Sequence, residues 1–376
     1  MKSHLPANSK LKRKSHLLIS WVMLVCLLVG SPLFAANAQA PLDPSEPPVA
    51  PPPPEEIQLG PRKLPAILNF ENQIFLPLIL RINASAVNPQ NRLESLNFFK
   101  EQYLMTSALT PDWTGSQGTC DPGTTSPAFR AAILARINYF RAMAGVPSEV
   151  VFSDASNLKA QAAALIMSAN QSLSHGPTST WACYSDLGRN GASSANLYLG
   201  RYGWEAIDGY MKDPGEGNYP AGHRRWILYP QTKEMGTGDV PVGNGYPSAQ
   251  ALVVFDSHLW DPRPTTREEF VAWPPPGYVP YQVVFGRWSF AYAGANFSGA
   301  TVQMTAAGQN ISVSQAPVVN GFGENTLVWI PEGHSYGEIW PQPAGDTSYT
   351  VTIDNVIING NPRSFTYTVI IFNPGL

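Results

Sequence analysis

Two histidines of this chain stand where they could do chemistry. His175 lies in Leu173-Ser174-His175-Gly176-Pro177, and His223 lies in Gly222-His223-Arg224-Arg225-Trp226-Ile227-Leu228. Two acids, Asp213 and Glu216, precede the second in Tyr210-Met211-Lys212-Asp213-Pro214-Gly215-Glu216. A neutral imidazole can accept a proton or ligate a metal, and a carboxylate beside it can fix its orientation. No two histidines stand one helical turn apart, so a working pair has to be assembled by the fold. Plainer roles stay open for each residue. His175 can end a helix by donating to its last carbonyls, and His223 can be a satisfied interior histidine. Asp213, Glu216 and Glu205 can be ordinary solvated acids. Neither Ser174 nor Ser193 stands in a nucleophile-elbow context, so a serine hydrolase has no footing.

The elements that must position these residues are helical first. From about Arg92, the residues Leu93, Leu96, Phe98, Phe99 and Tyr103 give a short amphipathic segment. Ser126-Pro127 reads as an N-cap followed by proline at the first helical position. The helix it opens carries Phe129, Ile133, Ile137, Phe140 and Ala144 on one face, and Gly145 ends it. A further helix from about Asp154 to Asn170 has Leu158, Ala162, Leu165, Ile166 and Ala169 as its buried stripe. A short helix follows around Glu205 to Met211, with His223 in a loop beyond it. Ala251 to Phe255 reads as a buried strand, and the mixture predicts α+β, with helices on a sheet.

Past Asp261 the hydrophobic period becomes two. Val302/Met304, Ile311/Val313, Val351/Ile353 and Phe365/Tyr367/Val369/Ile371 alternate with polar neighbours, as half-buried antiparallel strands do. Ile358-Asn359-Gly360-Asn361 supplies a hairpin. The expected solution over residues 263–376 is an all-β, immunoglobulin-like sandwich able to fold as a unit, after a helical domain over residues 92–262.

Composition sets the compartment. Lys10, Lys12, Arg13 and Lys14 precede an apolar run from Leu17 to Val29, broken at Gly30-Ser31-Pro32, which is a signal-peptide pattern. The run is short for a bilayer span of roughly 20 residues. Cleavage is expected after Ala38, which discards Cys26 and gives a secreted, extracellular or envelope-associated chain with no transmembrane segment. Residues 39–65 read as a proline-rich extended linker, and residues 66–91 as an arm packed on the domain. The 376 residues, 44% of them hydrophobic, suffice for two cores. A net charge of -3 argues against nucleic acid as a partner. Past the signal only Cys120 and Cys183 remain, which in an oxidising compartment predicts a disulfide, with two separate buried thiols as the alternative.

Several of these words occur in a telling order. Arg136-Ile137-Asn138 with Arg141, then Ala160 to Ala169, Leu173-Ser174-His175, Ala195-Asn196-Leu197, Gly222-His223-Arg224 and Met235-Gly236-Thr237-Gly238 follow one another. Between about Phe98 and Asp256 the chain thereby resembles the CAP superfamily of cysteine-rich secretory, antigen 5 and pathogenesis-related proteins, in its bacterial exported form. The resemblance implies a CAP-type α-β-α sandwich with a cleft lined by two histidines and two acids, and a divalent metal such as zinc on the histidines. By position His175 and His223 match the histidines, and Asp213 matches the acid after the short helix. Glu205 and Glu216 are substitutes for it. The chain departs from the pattern at Ala195, where the family has Glu before Asn-Leu, and this removes the best general-base candidate. Metal binding survives that loss better than catalysis, since imidazoles and a carboxylate still suit zinc. Three function classes follow. A binding module would hold a metal and an extracellular peptide, lipid or envelope-glycan ligand. The others are a metal-assisted, peptidase-like hydrolase and a structural exported protein with an inert cleft.

Overall fold

The protein is described by a computed structural model covering residues 87–107 and 109–375. The signal peptide, the proline-rich linker and residues 66–86 of the arm lie outside the described residues. The helical part runs α1 (Arg92–Phe98), α2 (Pro127–Ala144), β1 (Val151–Phe152), α3 (Asp154–Asn170), α4 (Asp186–Ala192), β2 (Ala195–Leu199), α5 (Gly203–Lys212), α6 (Gly222–Ile227), β3 (Glu234–Val240) and β4 (Ala249–Val253). The strands form a sheet of order β1-β3-β4-β2, in which β1 is parallel to β3 and the other pairs are antiparallel.

Local chemistry sets the long helices. Ser126 Oγ accepts the Phe129 amide at 3.3 Å and Pro127 takes the first turn, as its fixed φ suits. Gly145, at φ 78°, closes α2, since a residue without Cβ enters the left-handed region freely. Phe129, Ile133, Ile137, Phe140 and Ala144 are all buried, as their spacing predicts. Ser153 caps α3 through the Ser156 amide. Leu158 and Leu93, expected to face the core, are instead 61% and 63% exposed. The buried stripe of α3 is its alanine-rich face, Ala160, Ala163, Ala164, Leu165, Ile166 and Met167.

That face lies almost in backbone contact with β3. A Cβ on Gly238 would stand 2.1 Å from the Ala160 carbonyl carbon, and one on Gly236 2.3 Å from that of Ser156. The sheet therefore carries helices on both sides. Ala249, Ala251 and Val253 of β4 pack in one buried cluster with α3, while Leu252 joins the other with α2 and α5. This is an α-β-α sandwich.

The C-terminal part is all strands: β5 (Val271–Trp273), β6 (Gly277–Pro280), β7 (Trp288–Ala291), β8 (Thr301–Ala306), β9 (Gln309–Ile311), β10 (Val313–Gln315), β11 (Thr326–Pro331), β12 (Thr347–Ile358) and β13 (Asn361–Phe372). They make two sheets, β10-β11-β7-β5 and β6-β13-β12-β8-β9. Val351, Ile353, Phe365, Tyr367, Val369 and Ile371 are buried, as their alternation predicts. The sheets meet through aromatic pairs such as Phe290–Phe365, 5.2 Å between centroids. The β12–β13 turn has Asn359 at φ 50° and Gly360 at φ 79°, the hairpin chemistry expected of Asn-Gly.

The buried apolar cluster is continuous from α2 into the sandwich, with Phe140 edge-on to Trp273 at 5.1 Å. At the near end of the arm, the Pro89 carbonyl accepts the Tyr278 amide of β6 at 2.7 Å. Cys120 and Cys183 form a disulfide with their Cα atoms 4.9 Å apart, tying the segment before α2 to the α3–α4 connection. Among the described residues no helix is long and apolar enough to cross a membrane.

Candidate functional site

Helix α5 ends at Asp213, whose φ of 52° turns the chain before Pro214. Helix α6 begins after Ala221, which offers no side-chain cap to the free amides of the first turn. Asp213 supplies that cap from outside the helix. Its Oδ2 accepts the His223 amide at 3.0 Å, and its Oδ1 accepts the ring Nδ1–H at 2.7 Å. The positive end of the helix also favours the carboxylate there. His223 thus sits on the first turn of a helix and not in the loop its sequence suggested. Both residues are buried, at 1% and 0% exposure.

These bonds fix the tautomer. A carboxylate only accepts, so Nδ1 carries the proton and Nε2 carries the lone pair. His223 Nε2 is buried and has no hydrogen-bond partner. The ring stacks on Tyr210 at 5.6 Å. The Tyr210 hydroxyl donates to the Asn196 carbonyl at 3.0 Å, and Asn196 Nδ2 donates to the His223 carbonyl at 3.1 Å. Burial pushes the Tyr210 phenol well above its ordinary range, so it acts as a neutral donor.

His175 lies five residues past the end of α3, in a bend. It does not cap that helix. Its Nδ1 stands 2.8 Å from the Ala192 carbonyl at the end of α4. A carbonyl also only accepts, so this ring too carries its proton on Nδ1 and its lone pair on Nε2. Ala192 and Asn196, the anchors of the two histidines, flank the start of β2.

Ala195 is fully buried in the cluster of α3 side chains. Successive strand residues point to opposite faces, so Ala195 is turned away from the face on which Asn196 holds His223. Glu216 is exposed in the turn after Gly215, and Glu205 pairs with Arg201 at 2.6 Å. His258 and His334 lie elsewhere, against Asp261 and Glu338 respectively.

The loop holding Asp213 is gripped by arginines that sequence reasoning missed. Arg224 Nε donates to the Met211 carbonyl at 2.7 Å and Nη1 to Ser289 Oγ of β7 at 3.0 Å. Arg287, just before β7, donates to the carbonyls of Asp213 and Gly215. Arg225 reaches the carbonyls of Val319 and Glu324 at 2.8 and 3.0 Å. Burial lowers the pKa of Arg224 and Arg225 by disfavouring the charged form. Arg224 was within sight in the Gly-His-Arg word. Nothing in the sequence around Arg287 distinguishes it.

The comparison with protein families agrees with this architecture. The family model described as "CAP: Cysteine-rich secretory protein family" matches residues 134–255. No curated protein gives a match. Among solved structures the chain is similar to PcoC, a methionine-rich copper resistance protein from Escherichia coli, at 15% identity and a TM-score of 0.21, over 27% of this chain and 92% of that one. The matched segment runs from within α2 past the end of β4 and so takes in both histidines, Asp213 and the sheet between the helices. Residues 134–255 are a CAP domain of the cysteine-rich secretory protein family type.

Proposed function

We propose that this is an exported CAP-domain protein that holds a divalent metal such as zinc on His175 and His223, and presents it to an extracellular peptide, lipid or envelope-glycan ligand. One observation carries the reading: both imidazoles have Nδ1–H bound to an oxygen that can only accept, which leaves Nε2 as the ligating atom on each. Metal-binding histidines characteristically make such a bond on the far nitrogen. The buried, unpartnered Nε2 of His223 fits the same role. Export is supported by the basic and apolar N-terminal pattern and by the disulfide.

Among the described residues, no group of three or more His, Cys, Asp or Glu is placed to share an ion. Protein ligation would then be by the two imidazoles, with the remaining positions left to water and ligand. Asp213 has both oxygens engaged by His223 and serves as its orienting partner. When bound, the metal would supply Lewis-acid polarisation of a ligand oxygen. A hydrolase remains the second reading, because the Asp213–His223 pair could also set up a general base.

Calorimetric titration of the exported chain with Zn2+ tests the proposal. Saturable uptake that disappears in His175→Ala and in His223→Ala supports it, and unchanged uptake in both variants overturns it. Turnover of a peptide substrate, abolished by chelator and by His175→Ala, would favour the hydrolase.

A further inference from the structure

We infer that Arg287, a residue of the β-sandwich, is a positioning residue for His223, so that the site is complete only with the sandwich docked on the CAP domain. Arg287 is 2% exposed. Its Nη1 donates to the Asp213 carbonyl, and its Nη2 to the Gly215 carbonyl at 2.9 Å. Between these carbonyls Asp213 has φ 52° and Gly215 has φ 101°, a left-handed turn that glycine enters freely and that costs a residue with a Cβ, though aspartate less than most.

The grip has a second half. Arg224 donates to the carbonyls of Met211 and Lys212, at 2.7 and 3.5 Å, and to Ser289, two residues beyond Arg287. Carbonyls along residues 211–215 are therefore held by one guanidinium from the CAP domain and one from the sandwich. The sandwich also secures Arg287 itself. The Tyr336 ring lies 5.4 Å from the guanidinium carbon, and the Gly286 amide donates to the Glu338 carbonyl at 3.2 Å. A planar fork with fixed donors suits two carbonyls at once, whereas a lysine ammonium holds one geometry poorly.

The consequence falls on the imidazole. Without Arg287 two buried carbonyls lose a donor, the Asp213 turn relaxes toward ordinary backbone angles, and its carboxylate leaves His223. His223 is then free to move its proton from Nδ1 to Nε2, which removes the lone pair from the proposed ligating atom. His175 takes its tautomer from the Ala192 carbonyl and not from Asp213, and should not respond. Arg287 touches neither metal nor ligand in this scheme. It acts through Asp213.

The inference rests on the reading of His223 Nε2 as a ligating atom, but its first test needs no metal. Long-range 1H–15N spectra of the imidazoles at about pH 8, where histidines are neutral, should show the Nδ1–H form for both His175 and His223 in the wild type. In Arg287→Ala, His223 should become a mixture of tautomers while His175 is unchanged, and Zn2+ affinity should fall by about tenfold or more. Arg287→Lys should lie between, and carries the same test if Arg287→Ala does not fold. An unaltered His223 tautomer in these variants overturns the inference, and so does an equal change at both histidines, which would signal general loosening. A wild type that takes up no Zn2+ would sink the metal proposal while the tautomer comparison still decides the role of Arg287.

Discussion

The carboxylate of Asp213 accepts two donors from the same residue, the ring Nδ1–H of His223 at 2.7 Å and its backbone amide at 3.0 Å. One side chain thereby caps α6 and sets the tautomer of the imidazole it begins with. Asp213→Asn keeps one acceptor and replaces the other with an amide NH2 that must face a donor. In a buried position this should cost about 1–3 kcal/mol of stability, read from urea unfolding. Zn2+ affinity should fall by about tenfold, the usual scale for an orienting partner. Wild-type values for both would remove Asp213 from the site.

Under the proposed ligation, protons and zinc compete for the same imidazole nitrogens. Uptake should therefore weaken on acidification, as the imidazoles take up protons. Binding by surface carboxylates would persist to roughly pH 4. Titrations at neutral pH and at roughly pH 4 to 5, where carboxylates begin to protonate, separate these outcomes.

The Cys120–Cys183 bond spans a sequence separation of 63. By the chain-entropy argument, closing a loop of this length is worth about 4 kcal/mol. The double variant Cys120→Ser/Cys183→Ser should lose about that much in chemical denaturation. Alkylation of the native protein should find no free thiol at either position.

Much of this fold could be read from residue types, because its signals are local. Ser126-Pro127 and Gly145 bracket α2 by capping chemistry, and Asn359-Gly360 marks the hairpin by its positive φ. The two histidines and the acid proposed for the site are picked out by the order of short words. What could not be read depends on contacts distant in sequence. Arg287 meets carbonyls 74 and 72 positions earlier, and no periodicity encodes that. Leu158 misled because helical spacing tells which residues share a face but not how closely that face approaches its neighbour. With β3 in backbone contact, the alanines of α3 are buried and Leu158 lies outside the interface.

Ala195 shows the same limit. Restoring the family's acid by Ala195→Glu should not rebuild a catalytic cleft, since this position faces the α3 cluster and the acid would be buried among alanines, leucine and valine. The expected result is a loss of about 3 kcal/mol or more in stability. Tighter Zn2+ binding by this variant would show that the site reaches across β2.

Asp239 lies fully buried and accepts the Gly203 amide at 2.6 Å, Gln250 Nε2 and the Thr237 hydroxyl. Burial raises its pKa above the ordinary carboxyl value despite these donors. A group held higher in the folded state than in the unfolded one contributes stability in acid, and that contribution is lost as pH rises through the raised value. Asp239→Asn, which cannot ionise, should therefore gain on the wild type as pH rises out of the acid range. Paired urea titrations across that range should show the difference growing, and a constant difference would contradict this account.

The stretch Met235-Gly236-Thr237-Gly238, among the words by which the chain resembles the CAP superfamily, supplies neither of the proposed ligating histidines nor the acid beside them. Its glycines record a distance. A Cβ at either would drive into the backbone of α3, so replacement would have to move the helix whose far end leads to His175. Similarity searches that weight these glycines are detecting the spacing between a helix and a strand. A protein can keep that signature in full while its cleft has lost an acid, changed its ligand or stopped doing chemistry. For chains of this kind, kinship is written in the packing and activity has to be sought in other residues.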